Sequence, residues 1–160
     1  MNTHNSFFIA TGTNLGERAA NLKNAKNILK THFDLIAESR LYKSMAVDYL
    51  NQPDFYNQVL EFRLPTQTPE KVMQLLLEIE KEMGRNREIP KGPRLIDLDI
   101  LFWGTQKIQS AFLTIPHPRL FERSFVVLPI AELPGFNELK KVFEFKFQFD
   151  NSATPLSSLT

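Results

Sequence analysis

Apolar and polar positions along the chain follow two rhythms, one of strands and one of helices. Ser6 to Thr11 (SFFIAT) is a short apolar run that stops at Gly12, the pattern of a buried first strand. From about Glu17 to Phe33, the residues Leu22, Ala25, Leu29 and Phe33 recur at helical spacing, and Asn14 stands where it can cap that helix. Leu35 to Tyr42 reads as a second strand with Leu35, Ala37 and Leu41 on one face. A loop from Lys43 to Asp54 leads to a third strand over about Phe55 to Leu64. Thr68-Pro69-Glu70 opens a second helix with a capping hydroxyl, a first-turn proline and an early acid. Val72, Leu75, Leu76, Ile79 and Met83 form its buried stripe, and Gly84 ends it. A fourth strand starts at Ile96 and closes at Gly104. Alternation there places Asp97 and Asp99 on one face and Ile96, Leu98, Ile100 and Phe102 on the other.

The order strand–helix–strand–strand–helix–strand is the α+β, ferredoxin-like βαββαβ pattern, a sheet with helices packed on one face. C-terminal additions follow it. Arg119 to Glu132 reads as partly helical with a break at Pro129. Val142 to Phe149 (VFEFKFQF) alternates strictly and predicts an amphipathic strand with Phe143, Phe145, Phe147 and Phe149 covering core. The tail from Asn151 is polar and is expected to fray. With no internal repeat and no dividing linker, residues 1–160 read as a single domain.

Composition narrows the function classes. Hydrophobic residues at 42% and charged residues at 23% are ordinary globular values. A net charge of +1 gives no global pull toward nucleic acid or an anionic membrane, so any basic surface is local. The absence of cysteine excludes disulfides, thiol catalysis and cysteine-based zinc sites. Met1 to Thr13 lacks the basic start and apolar core of a signal peptide, and no apolar run approaches the ~18 residues of a membrane span. The expectation is a soluble, cytoplasmic protein.

Chemistry concentrates around the fourth strand. Asp97 and Asp99, about 7 Å apart at Cα, can both reach one metal, and a hard divalent cation removes their mutual repulsion. Before them runs Gly84-Arg85-Asn86-Arg87-Glu88-Ile89-Pro90-Lys91-Gly92-Pro93-Arg94, a punctuated loop with four cationic side chains. Carboxylates for a metal beside cations for phosphate suggest a metal–nucleotide complex; on residue chemistry alone, the wet face of a strand beside a solvated loop stays open as the alternative. GxxxxGK[ST] and GxGxxG phosphate loops are absent. Thr11-Gly12-Thr13-Asn14-Leu15-Gly16 turns from strand to helix and either presents amides to a ligand or is simply a tight turn. His117 is held extended between Pro116 and Pro118, with Arg119 and Arg123 close behind, so a polyphosphate grip and a structural turn are both open. Phe55, Tyr56 and Asn57 offer a ring for stacking and an amide for reading a heterocycle's edge, or else simple core.

Taken together, these residues resemble the 6-hydroxymethyl-7,8-dihydropterin pyrophosphokinase family of folate biosynthesis. GPRLIDLDILFWG is similar to the family's GPRxxDLDILxxG, and IPHPRLFERSFVVLPIAE resembles its PHPRxxxRxFVLxPLxE. Tyr42, QPDFYN at 52–57, Glu80 and GTNLG at 12–16 fall in the family's order, so the likeness runs from about Phe8 to Glu132. The resemblance implies a ferredoxin-like fold and transfer of pyrophosphate from ATP to the pterin hydroxymethyl group, releasing AMP. It implies two magnesium ions on Asp97 and Asp99, with Arg85, Arg94, Asp97 and Asp99 as the catalytic set. Glu80, Arg85, Arg94, His117 and Arg123 would attend ATP. Ser44, Val47, Phe55, Asn57, Asp97 and Phe125 would form the pterin pocket, Phe55 and Phe125 sandwiching the ring. The 84–95 loop would close over ATP. The implied partners are these two small molecules, with no nucleic acid and no membrane, and the expected state is a monomer.

Three departures stand out: Lys91 where some members carry a tryptophan in a longer loop, Thr13 for serine, and Ser44-Met45 for Thr-Pro. An RNA-binding module of the same fold is a rival reading, but its aromatic strand signature is missing and acids occupy the strand face. A catalytically silent relative that binds pterin and nucleotide is a third, against which the retained Asp97 and Asp99 weigh. A metal-dependent phosphodiesterase leaves the PHPR motif without a use.

Overall fold

The computed structural model describes residues 5–45, 52–84 and 95–156. Six strands form one antiparallel sheet among them. The central strand is β1 (Ser6–Thr13), flanked by β4 (Phe55–Arg63) and β5 (Asp97–Trp103). Along the other edge of β4 lie β2 (Leu35–Glu38) and β3 (Tyr42–Ser44), so the single strand expected over Leu35 to Tyr42 is split. Ser39 explains the break. Its Oγ accepts from the N–H of Val59 at 3.0 Å, and its carbonyl accepts from Gln58 Nε2 at 2.8 Å, so side chains replace ladder bonds there.

One face of the sheet is covered by α1 (Arg18–His32) and α2 (Pro69–Glu82). Leu22, Ala25 and Leu29 from α1 meet Val72, Leu76 and Ile79 from α2 over Phe7, Ile9, Leu60, Phe62, Leu98 and Ile100. Thr68 caps α2 as expected, its hydroxyl accepting from Lys71 N–H at 3.2 Å. Asn14 does not cap α1. Glu17 occupies that position, and the Asn14 amide instead donates to Gln52 Oε1 at 2.8 Å and to the Pro53 carbonyl at 3.1 Å.

The second face is covered in part by the elements that follow β5. A hairpin of β6 (Ile108–Gln109) and β7 (Thr114–Ile115) leads to a 3-10 helix (Pro118–Glu122), then α3 (Ser124–Ile130) and α4 (Phe136–Val142). The helical segment continues through Pro129 to Ile130, and its interruption falls at Arg123 instead. Val126, Ile130 and Leu139 pack on Phe8, Val59, Leu101 and Phe102. Phe102 therefore lies opposite to the expected side. The pairing of β1 with β5 steps from Phe8–Phe102 to Ile9–Ile100, so Leu101 is an extra residue, and this bulge turns both Leu101 and Phe102 to the second face.

The phenylalanine repeat after α4 forms no strand. Residues 144–149 have no ladder partner among the described residues, yet Phe143 and Phe145 still pack on Phe102 and Phe121. The tail expected to fray carries the strand instead: β8 (Ala153–Pro155) pairs antiparallel with β3. Gly135 enters α4 with its N–H donating to Glu61 Oε1 at 3.0 Å. A Cβ there would sit 2.4 Å from Glu61 Oε2 and 2.6 Å from the Phe8 ring, so no larger residue fits unless its neighbours shift.

Candidate active site

Beside that cover, the described residues of the second face line a cleft of about 280 Å³. Its floor is set by register. Gly12 of β1 lies opposite Asp97 on one side and Asn57 on the other, and Ala10 lies opposite Asp99 and Val59. Side chains of directly opposed residues share a face, so two of the smallest residues on the central strand leave room between the carboxylates and the amide. Phe55 and Ser44 face each other on the adjoining pair of strands, and Arg119, Arg123, Phe125 and Val126 form the opposite wall.

Eight residues singled out from the sequence thus meet here: Ser44, Phe55, Asn57, Asp97, Asp99, Arg119, Arg123 and Phe125. His117 stands outside that lining, exposed, with Nδ1 accepting from Arg119 N–H at 3.2 Å at the start of the 3-10 helix. Glu80, expected beside the nucleotide, is buried instead at 2% exposure, and its Oε2 accepts from Leu98 N–H at 2.7 Å. It thereby satisfies a backbone donor of the outer strand between the two aspartates. Val47, Arg85, Lys91 and Arg94, and all but the ends of the 84–95 loop, lie outside the described residues. Thr11, Gly12, Met45, Gln52 and Gln58 join the lining without having been assigned a role in it. Signals existed for Gln52 in the QPDFYN run, for Thr11 and Gly12 in the strand-to-helix turn, and for Met45 beside Ser44; Gln58 carries none that composition or spacing reveals.

Each wall is held by bonds of its own. Asn57 is buried, and its Nδ2 donates to Ser44 Oγ at 2.8 Å and to the Tyr42 carbonyl at 3.4 Å. That turns Oδ1 toward Gly12, where an added Cβ would lie 3.4 Å from it. Behind them the Tyr42 hydroxyl donates to Glu132 Oε2, while Arg40 donates to Glu132 through its backbone N–H at 2.9 Å and Nε at 3.1 Å. Burial first, then the bond to Glu132, pushes the Tyr42 phenol up to about 12. The start of β4 is held by Arg18, whose Nη1 donates to the Asp54 carbonyl at 2.8 Å while its guanidinium lies 4.1 Å over the Tyr56 ring.

The electrostatic centre is Asp99. Its carboxyl opens onto the cleft but is enclosed by protein on its other sides, and this enclosure, followed by the charge of Asp97, pushes it up to about 7. The Arg123 guanidinium and the Ile100 N–H pull in the other direction. No group of three or more Asp, Glu or His side chains that could hold a metal converges among the described residues. No helix among the described residues is long and apolar enough to cross a membrane.

Comparison with known proteins matches this arrangement to one family. The family model described as 7,8-dihydro-6-hydroxymethylpterin-pyrophosphokinase (HPPK) matches residues 8–135. The 2-amino-4-hydroxy-6-hydroxymethyldihydropteridine pyrophosphokinase of Bacillus subtilis is 37% identical over 132 residues, covering 81% of this chain and 78% of its own. The Aquifex aeolicus protein of the same name is 32% identical, over 79% of this chain and 78% of its own. The mitochondrial folate synthesis bifunctional protein of Pisum sativum is 40% identical over 79% of this chain, but that region is only 25% of its length. In fold, the chain is similar to the Plasmodium falciparum HPPK-DHPS crystal structure with pterin and p-hydroxybenzoate. The TM-score is 0.60 at 16% identity, covering 89% of this chain and 40% of that one. With pteroate bound, the wild-type Plasmodium protein gives a TM-score of 0.57 at 15% identity, covering 78% of this chain and 38% of that one. With the family model spanning the cleft and both of its walls, the chain belongs to the 7,8-dihydro-6-hydroxymethylpterin-pyrophosphokinase family.

Proposed function

We propose that the cleft transfers pyrophosphate from ATP to the hydroxymethyl group of 6-hydroxymethyl-7,8-dihydropterin, giving AMP and the pterin diphosphate for folate synthesis. The observation that carries this reading is the convergence on one 280 Å³ cleft of an aromatic pair, a buried amide, two carboxylates and two arginines. Phe55 and Phe125 flank the pterin ring, and Asn57 Oδ1, steered toward Gly12 by its bond to Ser44, accepts from a ring N–H. Backbone groups around Ser44 and Val47 would complete that pocket, as the resemblance implies. Arg119 and Arg123 take phosphate oxygens from one wall, and Arg85, Arg94 and His117 hold the triphosphate as the resemblance implies. The sheet order β5-β1-β4-β2, with a helix after β1 and another after β4, supports a ferredoxin-like arrangement.

Asp97 and Asp99 fit magnesium: adjacent carboxylates, one of them held toward its neutral form by enclosure first and by the other's charge second, gain from a hard dication and leave positions for phosphate oxygens. Two such ions, when bound, would neutralise the triphosphate and make the substrate hydroxyl more acidic. The chain's own share is positioning. The pterin hydroxymethyl group is held over the Asp97–Asp99 pair while the arginines align the β-phosphorus, and in-line placement with charge neutralisation is most of what phosphoryl transfer requires. Glu80 contributes by fixing Leu98 between the aspartates. Closure of the 84–95 loop would exclude water and limit ATP hydrolysis.

The test is AMP formation from ATP, magnesium and the pterin, by the parent chain and by Asp97→Ala and Asp99→Ala variants with retained secondary structure. The reading expects AMP and pterin diphosphate in equal amounts, lost at least ~10²-fold in both variants. Unimpaired variants, or a parent chain that binds both substrates without turnover, would overturn it.

A further inference from the structure

The tail beyond residue 135 lies outside the family match, yet it reaches the cleft wall. Asn151 Oδ1 accepts from Ser124 N–H at 2.8 Å and from Ser124 Oγ at 2.5 Å. Its Nδ2 donates to the Glu122 carbonyl at 2.9 Å and to Asp150 Oδ1 at 3.0 Å. One side chain therefore grips the residues on both sides of Arg123. That residue closes the 3-10 helix and opens α3 with φ −102° and ψ 109°, and its own side chain caps neither. A corner between two short helices can pivot unless something outside holds it. The grip is dry on one side, since Ser124 is 1% exposed. Beyond Asn151 the tail continues into β8, paired with β3 at Ser44–Ala153, and Leu156 N–H donates to the Leu41 carbonyl at 2.8 Å.

We propose that Asn151 is a positioning residue for Arg123 and Phe125, and that the tail from Asn151 to Leu156 is a strap joining the arginine–phenylalanine wall to the Ser44 wall. This rests on the pyrophosphoryl-transfer reading for its kinetic consequence. Arg123 sets the charge facing Asp99, and Phe125 sets the depth of the aromatic slot, so a small pivot at the corner misplaces both. An ångström of misplacement costs on the order of 10²-fold in such reactions.

Two measurements test it. The first is hydrogen exchange at the Ser124 amide in the free protein, which needs no turnover. Exchange is about 10-fold faster or more in Asn151→Ala and near the parent value in Phe147→Ala, which leaves the Asn151 side chain in place. The second is steady-state AMP formation below the unfolding temperature. Asn151→Ala lowers kcat about 10-fold or more and raises the pterin KM. Asn151→Asp keeps the acceptor for Ser124 but sets a carboxylate oxygen against the Glu122 carbonyl and Asp150, so it recovers only part of the loss, and Phe147→Ala, a half-exposed change on the same tail, leaves both constants unmoved. A parent chain that makes no AMP refutes the transfer reading and leaves exchange to decide the strap. Parent-like exchange in Asn151→Ala, parent-like kinetics in an active enzyme, or equal damage from Phe147→Ala overturns the positioning role.

Discussion

Replacing Asp99 by asparagine isolates the electrostatic cost built into the cleft. In the folded chain the carboxyl is pushed from 3.8 to about 7, by enclosure first and by Asp97 second. The folded state therefore holds a proton there that the unfolded state has already released, at every pH between those values. Stability is highest below about pH 4 and falls as pH rises through about 7, above which the penalty is constant. A fully dry carboxyl shifted this far would cost ~4 kcal/mol at 1.36 kcal/mol per pKa unit. Asp99 opens onto cleft water, which screens both its charge and that of Asp97, so ~1–2 kcal/mol is the magnitude to expect. The asparagine amide carries no charge at any pH, so Asp99→Asn stabilises the ligand-free, metal-free protein by that amount at pH 8, about 2–6 °C in Tm for a chain of this size. The assay is thermal and urea denaturation of both proteins in chelator from pH 4 to 8. The gain grows from pH 4 to 7 and then levels. A gain independent of pH, or a loss of stability at pH 8, would refute the reasoning.

Other consequences are equally direct. Gly135→Ala forces a methyl into Glu61 and Phe8 and destabilises by ~1–3 kcal/mol, read by urea midpoint at unchanged m-value. With Tyr42 pushed up to about 12, an ultraviolet titration of the three tyrosines shows one ionising late, and Tyr42→Phe removes that step. Phe55→Ala and Phe125→Ala each weaken pterin binding about 10-fold or more while leaving ATP binding within about 3-fold, as calorimetry would show.

Much of this was legible because periodicity reports which side of an element is buried. The stripes of α1 and α2, the Thr68 cap and the shared face of Asp97 and Asp99 all follow from spacing alone. What spacing does not report is who the backbone pairs with. Phe143 and Phe145 bury their rings as alternation demands, but the edge strand β3 is taken by β8, so the phenylalanine run stays unpaired. The extra residue at Leu101 sends Phe102 to the other face through a register step that no local pattern signals. Ser39 splits a strand by substituting a hydroxyl for a ladder partner, and Asn14 spends its amide on Gln52 and Pro53, 38 and 39 residues away. The predicted residues that line the cleft were legible because they belong to motifs; Asn151, acting across 27 residues of sequence, belongs to none.

The central claim is that both terminal phosphates of ATP pass together to the pterin in this cleft. Its most direct test supplies ATP labelled at the β-phosphorus or at the γ-phosphorus, with magnesium and 6-hydroxymethyl-7,8-dihydropterin, and follows the label. The account predicts that both labels appear in the pterin product in equal yield while an α-label stays in AMP. Label transferred from the γ position alone, with ADP as the second product, would contradict it.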